Sequence, residues 1–180
     1  MRIGGKQALA LALACVLSAL GVAACGNDED DVTVKEGEAV KLGDLLYNVQ
    51  ITRFLNPNDS EDASYLEGKP DAPASKAYLA VFMTVENEGD DPVTIPGDFE
   101  IEDTRGDTYR SVPSDRAYAL KPDTALGPGD ELPKSGTAAA SGPIQGAMVL
   151  FLIDESATEN RPLELKIPSP SGDGRVELDI

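Results

Sequence analysis

From Val32 to the last residue, apolar side chains repeatedly occupy every second position, which is the period of a β-strand with one buried face. Tyr47, Val49 and Ile51, for example, alternate with polar neighbours and are predicted to share one buried face. Clusters of Gly, Pro, Asp and Asn separate these runs and predict turns. The pattern therefore predicts an all-β chain.

Two runs differ from the others because they are apolar on both faces. They are residues 76–86 and 145–153. In the first run, Leu79 and Val81 share one face while Phe82 occupies the other. A strand with two apolar faces is covered on both sides, so these runs are predicted to be central strands.

The other alternating runs are short, and turn signals bound each of them. They lie at residues 32–34, 40–42, 47–51, 93–95, 99–102, 108–112, 163–167 and 176–180. Residues 104–107 contain a Gly and predict a hairpin turn between two of these runs. About seven to nine short strands joined by turns predict an antiparallel β-sandwich over residues 32–180.

Two long connections interrupt the pattern, at residues 56–75 and 113–133. The first is predicted to be a mobile surface loop without regular structure. In the second, Ser114 or Asp115 is suited to cap a short helix over residues 116–120. Loops held by a sandwich often carry binding residues, so both connections are candidate interaction surfaces.

The first residues have the pattern of an export signal. Arg2 and Lys6 form a positive start, and an apolar run follows at residues 8–24. This run of about 17 residues would extend roughly 25 Å as a helix, whereas a membrane span needs about 30 Å. A cleaved signal is therefore favoured over an uncleaved membrane helix.

Val22, Ala23, Ala24 and Cys25 resemble the lipobox of bacterial lipoproteins. The resemblance implies removal of residues 1–24, attachment of a diacylglyceryl group to the Cys25 thiol and an extracytoplasmic, lipid-anchored protein. Residues 25–31 would then form an acidic tether. The alternative is an ordinary secreted protein that is cut nearby and keeps a free thiol.

The domain itself is similar to bacterial immunoglobulin-like, telokin-like domains of unknown function, a family related to the mycobacterial immunoprotective extracellular antigen. The resemblance rests on ordered turn and strand motifs, which are Tyr78-Leu79-Ala80-Val81, Asn87-Glu88-Gly89-Asp90, Phe99-Glu100-Ile101, Gly106-Asp107-Thr108-Tyr109 and Pro128-Gly129-Asp130. It implies an immunoglobulin-like fold over residues 45–180 but no particular chemistry. Residues 135–147, rich in Gly, Ala and Ser, are longer than the family usually shows.

The charge of the chain restricts its partners. The formal net charge is −17, and removal of Arg2 and Lys6 with the signal would take it to about −19. Such a surface repels nucleic acid, so no nucleic-acid partner is predicted. It also repels anionic head groups, so membrane attachment would depend on the lipid at Cys25.

The composition also restricts the chemistry. The chain has no His and no Trp, which excludes histidine-based catalysis and imidazole metal sites, and argues against a sugar-stacking platform. After signal removal a single Cys would remain, so no internal disulfide is predicted. We found no nucleophile or phosphate-binding motif, and therefore predict neither an enzyme nor a cofactor.

Two smaller motifs have alternative readings. Acid pairs at Asp90-Asp91 and at Asp103 with Asp107 could hold calcium, although acids in turns usually form the turn itself. Arg105-Gly106-Asp107 resembles an integrin ligand but is best explained as a hairpin turn. The sequence favours a module that binds an envelope or surface protein, with a cation-binding or small-ligand-binding lipoprotein as the alternative.

Overall fold

The computed structural model describes residues 31–180, so the predicted signal, Cys25 and most of the tether lie outside the described residues. It contains twelve strands, two short α-helices and one 3₁₀ helix. The strands are β1 (Val32–Lys35), β2 (Ala39–Leu42), β3 (Leu45–Phe54), β4 (Lys76–Asn87), β5 (Val93–Thr94), β6 (Glu100–Glu102), β7 (Thr108–Val112), β8 (Ala125–Leu126), β9 (Glu131–Leu132), β10 (Ala147–Asp154), β11 (Leu163–Ile167) and β12 (Gly174–Leu178). The helices are α1 (Ser60–Leu66), α2 (Ala138–Ser141) and the 3₁₀ helix Glu155–Glu159.

The strands form a β-sandwich, as predicted. The front sheet has the order β1-β12-β11-β6, and the back sheet has the order β10-β4-β3-β2 with β9 added to β4. Strand β7 belongs to both, because it pairs first with β6 and then with β10. Strands β5 and β8 form a separate two-stranded pair.

The strand number exceeds the prediction of seven to nine, and one pairing is parallel. The additional strands β5, β8 and β9 are two residues long, which is too short to produce a readable period. Strand β1 pairs with β12 in parallel rather than antiparallel orientation. Pairing direction is a tertiary property, and alternation along one strand carries no information about it.

The main core lies between the two sheets. It contains the inward residues of both, including Tyr47, Leu79, Met83, Ile101, Phe151, Leu165 and Val176. Each large apolar side chain that is fully buried stabilises the fold by roughly 1.5–3 kcal/mol. The core is aliphatic for the most part, which accords with a chain that has no Trp and few aromatics.

A second core lies on the outer face of the back sheet. Strands β4 and β10 supply Tyr78, Ala80, Phe82, Met148 and Leu150, while the residues after β3 supply Leu55, Tyr65 and Leu66. The prediction that both strands are central and two-faced is therefore confirmed. Their apolar outer face has to be covered, and the long connections cover it.

The prediction that Ile51 shares a buried face with Tyr47 and Val49 is wrong, because Ile51 lies outside the main core and is 39% exposed. The register of β3 against β4 shifts between Val49 and Ile51, so Gln50 is the extra residue of a β-bulge. A one-residue slip reverses the facing of every later side chain. Thr52 is consequently buried in place of Ile51, at 5% exposure.

The first long connection is not a structureless loop. It contains α1, which begins after Asp59, whose side chain accepts hydrogen bonds from the backbone N–H groups of Glu61 (2.9 Å) and Asp62 (3.2 Å). The helix ends before Gly68, which has a φ of +82°. Glycine adopts this left-handed conformation readily because it has no Cβ, so it is a common residue just after the end of a helix.

The predicted helix at residues 116–120 is wrong as well. That segment turns and then runs beside β10, where Ala119 forms a parallel bridge with Met148. The Gly, Ala and Ser stretch at residues 135–147 contains the single turn of α2, which Thr137 caps through a 3.3 Å hydrogen bond from the Ala140 N–H. None of the helices in residues 31–180 is long and apolar enough to span a membrane.

The two ends of the sandwich are distinct. Asp31 adjoins Val32, which pairs with Gly174 at the start of β12. Gly174 packs against Leu42, which lies close to the start of β3. We call the end of the sandwich that contains Asp31, Gly174 and the start of β3 the Asp31 end. Strand β3 has ten residues and extends about 30 Å to the opposite end, here called the far end.

Candidate functional site

The two connections predicted as interaction surfaces meet in the structure. Residues 55–75 and 113–118 lie together over the back sheet, and we call them the outer layer. Tyr65 of α1 contacts Tyr118 edge to face, with ring centroids 4.7 Å apart. It contacts Phe82 of the back sheet in the same way at 5.2 Å. The outer layer is thus a packed part of the fold.

Polar contacts join the two segments at their surface. The Arg116 guanidinium pairs with the Glu67 carboxylate. The Lys69 ammonium donates a hydrogen bond to the Pro113 carbonyl oxygen. Both contacts follow the end of α1, where Gly68 turns the chain toward residues 113–118. They bring the surfaces of the two connections into one patch.

A buried ion pair holds α1 to strand β3. The Asp62 carboxylate is only 2% exposed and pairs with the Arg53 guanidinium. Its second oxygen accepts a 2.8 Å hydrogen bond from the Asn56 backbone N–H. A buried carboxylate needs such partners because burial strongly disfavours an unpaired charge. Asp62 therefore fixes the position of the helix on the sheet.

A pocket of about 560 Å³ opens in the outer layer at the far end. Its apolar wall includes Leu55, Leu66, Ala72 and Tyr78, and its charged rim includes Lys69, Asp71, Lys76 and Glu155. The Lys76 ammonium already pairs with Asp154 at 2.9 Å. The pocket thus combines an apolar wall with charges of both signs, as sites for small amphipathic groups do.

The tyrosines of this region have raised pKa values. Burial is the main cause for Tyr65 and for Tyr78, and nearby carboxylates add to it. Burial likewise raises the pKa of Tyr47 in the main core. Each hydroxyl therefore stays protonated at neutral pH and is not a phenolate nucleophile.

Asp103, one of the candidate calcium ligands, organises the hairpin between β6 and β7. Its carboxylate accepts hydrogen bonds from the backbone N–H groups of Arg105 (2.9 Å) and Asp107 (3.0 Å) and from the Asn160 side chain (3.1 Å). Burial alone would raise the pKa of Asp103, but these hydrogen bonds outweigh it and the pKa is lowered. The carboxylate is thus engaged within the protein.

The other carboxylate of this hairpin is also paired. The Asp107 carboxylate forms a 2.9 Å ion pair with the Arg105 guanidinium at the surface. Gly106 between them has a φ of +84°, so the Arg-Gly-Asp tripeptide forms the hairpin turn that its glycine predicts. Within residues 31–180, no group of three or more acidic or Cys side chains is arranged to hold a metal ion.

The acid pair Asp90-Asp91 lies in a turn that a buried amide builds. Asn87 is fully buried at the end of β4. Its amide nitrogen donates to the carbonyls of Asp91 (2.8 Å) and Leu126 (2.9 Å), and its oxygen accepts from the Gly89 N–H (2.9 Å). The Asn-x-Gly-Asp motif therefore joins β4 to β8 and supports the fold.

Sequence reasoning missed two residues that matter here. Asp62 lies three residues after the cap Asp59, which is the spacing of a capping box and could have identified the start of α1. Arg175 lies on the outer face of the front sheet and pairs with the carboxylates of Asp31, Glu102 and Glu164. Only the pairing register reveals that these three acids converge.

Comparison with solved structures supports the fold at low sequence identity. An uncharacterised β-sandwich protein of Clostridium difficile has 13% identity and a TM-score of 0.52, covering 83% of this chain and 95% of that chain. The yjhA protein of Bacillus subtilis has 17% identity and a TM-score of 0.53, covering 81% and 99%. The secreted protein MPT63 of Mycobacterium tuberculosis has 13% identity and a TM-score of 0.52, covering 82% and 98%.

These similarities confirm the predicted likeness to a secreted mycobacterial protein at the level of the fold. A search of curated proteins gives no match to the sequence. A family model described as a domain of unknown function, DUF4352, matches residues 34–176, which is nearly the whole of the described domain. The chain therefore belongs to the DUF4352 family.

Proposed function

We propose that this protein is a lipid-anchored, extracytoplasmic β-sandwich that binds an envelope or surface protein through its outer layer. The membrane is contacted through a lipid on Cys25, and the domain itself performs no catalysis. The observation that carries the proposal is the joining of two long connections into one packed layer. The two connections cover the apolar outer face of the back sheet, and they also bring a pocket with a charged rim to one shared surface. Loops that a rigid scaffold holds in place often carry the binding residues of a domain.

The geometry of the chain ends supports the anchored arrangement. Residues 25–31 would extend at most about 25 Å from the lipid to Asp31. Asp31 lies at one end of the sandwich, whereas the pocket of the outer layer opens at the far end. A lipid at Cys25 would therefore hold the Asp31 end toward the bilayer and leave the outer layer open to partners.

The acidic surface supports the same arrangement. Because the domain is strongly negative, its surface is repelled by anionic head groups and by nucleic acid. It would stand away from the bilayer on its tether. A partner would meet either the charged front sheet or the outer layer, and the outer layer presents apolar as well as charged groups at its pocket.

Site-specific photo-crosslinking in intact cells tests the partner assignment. A photoreactive phenylalanine derivative replaces Asp71 or Ala117 in the outer layer, and Thr33 or Thr108 on the front sheet as matched controls. All four positions are exposed. We expect a discrete crosslinked product at the first two positions, at least five-fold more abundant than at the controls. Equal products at all four positions would contradict the assignment.

Small-ligand binding is the second candidate function. The pocket of about 560 Å³ favours it, because this volume lies within the range typical of ligand sites. Replacing Ala63, which lines the pocket, with Leu would fill it without disturbing α1. Envelope extract that protects the parent protein against thermal unfolding, but not Ala63→Leu, would favour this function over protein binding.

A further inference from the structure

The outer layer contains a short proline-rich segment between α1 and β4, which we call the proline segment. It comprises residues 69–74, and its two prolines, Pro70 and Pro73, are three positions apart. The segment belongs to neither sheet and contains no helix. Each proline ring fixes its own φ near −65° and disfavours the helical conformation of the residue before it, here Lys69 and Ala72. These restrictions favour an extended polyproline II helix, which has three residues per turn.

The exposure of the proline segment repeats with the same period of three. Lys69 and Ala72 are half-buried, and Ala72 packs against the second core. The two prolines are exposed, and so are Asp71 and Ala74. A helix with three residues per turn has three edges, so one edge lies on the protein and two edges lie in solvent. The prolines share one solvent edge and are about 9 Å apart along it, since each residue advances the chain by about 3.1 Å.

Hydrogen bonds hold the proline segment in place. At one end, the Lys69 N–H donates a 2.8 Å hydrogen bond to the carbonyl of the last residue of α1. At the other end, the Lys76 N–H donates a 3.0 Å bond to the Pro73 carbonyl. Between them, the Tyr78 hydroxyl donates a 3.1 Å bond to the Pro70 carbonyl. Because the fold orders the segment in advance, it loses little conformational entropy when a partner binds it.

We propose that the proline segment is the part of the outer layer that the partner protein recognises, and that the partner supplies a groove lined by aromatic side chains. Extended proline-rich segments dock into such grooves, and their preformed conformation favours binding. A groove encloses two edges of the polyproline helix, and two edges are free here. The inference rests on the proposed function, because it names the chemistry of the partner that the outer layer binds.

The charge of the proline segment specifies the groove further. Asp71 lies between the two prolines, and its carboxylate is at the surface. Two cations of the outer layer are engaged elsewhere, since Lys69 donates to the Pro113 carbonyl and Arg116 pairs with Glu67. The chain as a whole is strongly acidic. Complementary charge at an interface therefore requires a basic side chain beside the aromatic residues of the groove.

Photo-crosslinking from a position outside the proline segment tests the role of the two prolines. A photoreactive phenylalanine derivative replaces Ala117 in intact cells, either in the parent chain or in Pro70→Ala/Pro73→Ala. The matched control is Pro128→Ala/Pro170→Ala, whose prolines are also exposed but lie in turns outside the outer layer. We expect at least five-fold less crosslinked product in the first double variant and no loss in the control. Thermal unfolding of the purified variants verifies that they fold.

The outcomes separate this inference from the proposed function. Undiminished product in a folded Pro70→Ala/Pro73→Ala protein would overturn the inference and leave the proposed function intact. Equal losses in the two double variants would also overturn the inference, because the effect would then not depend on the proline segment. If the parent chain gives no product at all, both the inference and the proposed function fail.

Mass spectrometry of crosslinks from within the proline segment tests the chemistry of the groove. The photoreactive residue replaces Ala74, which is exposed beside Pro73. We expect crosslinks to a partner segment that contains Trp or Tyr. Replacing those aromatic residues of the partner with Ala should reduce the product at Ala117 at least five-fold, whereas replacing its nearest Ser or Thr should not. Crosslinks to a partner surface without aromatic residues would contradict the inference.

The basic side chain of the groove is tested at Asp71. Asp71→Lys should reduce the product at Ala117 at least five-fold, because it places like charges opposite each other. Asp71→Asn removes only the attraction and should have a smaller effect. Asp115→Lys makes the same change at an exposed acid of the outer layer that lies outside the proline segment, and should leave the product unchanged. Undiminished product in Asp71→Lys would overturn the assignment of a basic groove.

Discussion

The outer faces of the two sheets differ in chemistry and in what covers them. On the front sheet, Glu164 of β11 lies opposite Glu177 of β12 on one side and opposite Glu102 of β6 on the other. These three acids therefore form one row across the strands. The adjacent row contains Arg175, Lys166, Glu100 and Arg110. On the back sheet, the outer face is apolar and lies beneath the outer layer.

This difference explains the long connections. A charged outer face can be exposed to water without a covering layer. Like charges placed directly opposite each other are nevertheless destabilising unless a cation lies between them. Arg175 supplies that cation, at 3.1 Å from Glu164 and 3.3 Å from Glu102. The apolar face of β4 and β10 needs a cover, and the connections provide it. The surface that they expose is then available for binding.

The largest effect is expected from removing an aromatic ring beneath the outer layer. Phe82→Ala leaves a cavity against Tyr65 and should reduce the free energy of unfolding by about 3–5 kcal/mol. Thr33→Ala on the front sheet should change it by less than about 0.5 kcal/mol. Urea unfolding measures both. Similar losses in the two variants would show that the back face is no more dependent on its cover than the front face.

The next effect concerns the ion pair beneath α1. Arg53→Met leaves the Asp62 carboxylate buried with one remaining hydrogen bond, and should cost about 2 kcal/mol, since Arg53 is itself partly exposed. The double variant Arg53→Met/Asp62→Leu should recover at least half of this loss. Arg105→Met, which breaks the exposed pair with Asp107, serves as the control and should have no measurable effect. If the double variant recovers none of the lost stability, the loss in Arg53→Met is not caused by the unpaired, buried Asp62 carboxylate.

A smaller, pH-dependent effect is expected at the front hairpin. Asp103→Asn loses the bond from Asn160 and should reduce stability by about 1–2 kcal/mol at pH 7. Because folding lowers the pKa of Asp103, its contribution is complete above the unfolded pKa of about 3.9. The contribution is lost as the pH falls through the folded pKa. Unfolding curves of both proteins from pH 7 to pH 2 should therefore converge in acid, and a constant difference would contradict this assignment.

The smallest effect is expected at the charged front face. Arg175→Gln removes the cation between three carboxylates and should cost no more than about 1 kcal/mol in dilute buffer, because the group is partly solvated. The loss should shrink in 1 M salt, where the screening length falls to about 3 Å. Thermal unfolding at two salt concentrations tests it. A loss that is independent of salt would indicate packing by the Arg175 side chain instead.

The sequence was sufficient for the central strands and for the buried faces of most others. Leu79 and Phe82 point to opposite faces as their spacing requires, and residues 163–167 alternate as predicted. These features follow from local periodicity. Tertiary features did not follow from it: the bulge at Gln50 reverses the facing of Ile51, and the parallel pairing of β1 has no local signature.

The outer layer was predicted only in part. Both connections were predicted to be candidate interaction surfaces, and this role stays a prediction. Their packing against each other was not predicted, because contacts such as that of Tyr65 with Tyr118 join residues far apart in the chain. Asp59 and Asp62 carried the signal for α1, but residues 56–75 as a whole were predicted to be a loop. Lipidation of Cys25 and the division of residues 1–31 into signal and tether remain predictions.

The intact mass of the native protein, together with its N-terminal peptide, tests the anchor most directly. We expect a chain that begins at Cys25 and carries a diacylglyceryl group on the thiol, and we expect Cys25→Ser to leave the membrane fraction or to retain its first 24 residues. A native protein with a bare Cys25 thiol, or one that keeps residues 1–24, would contradict the account.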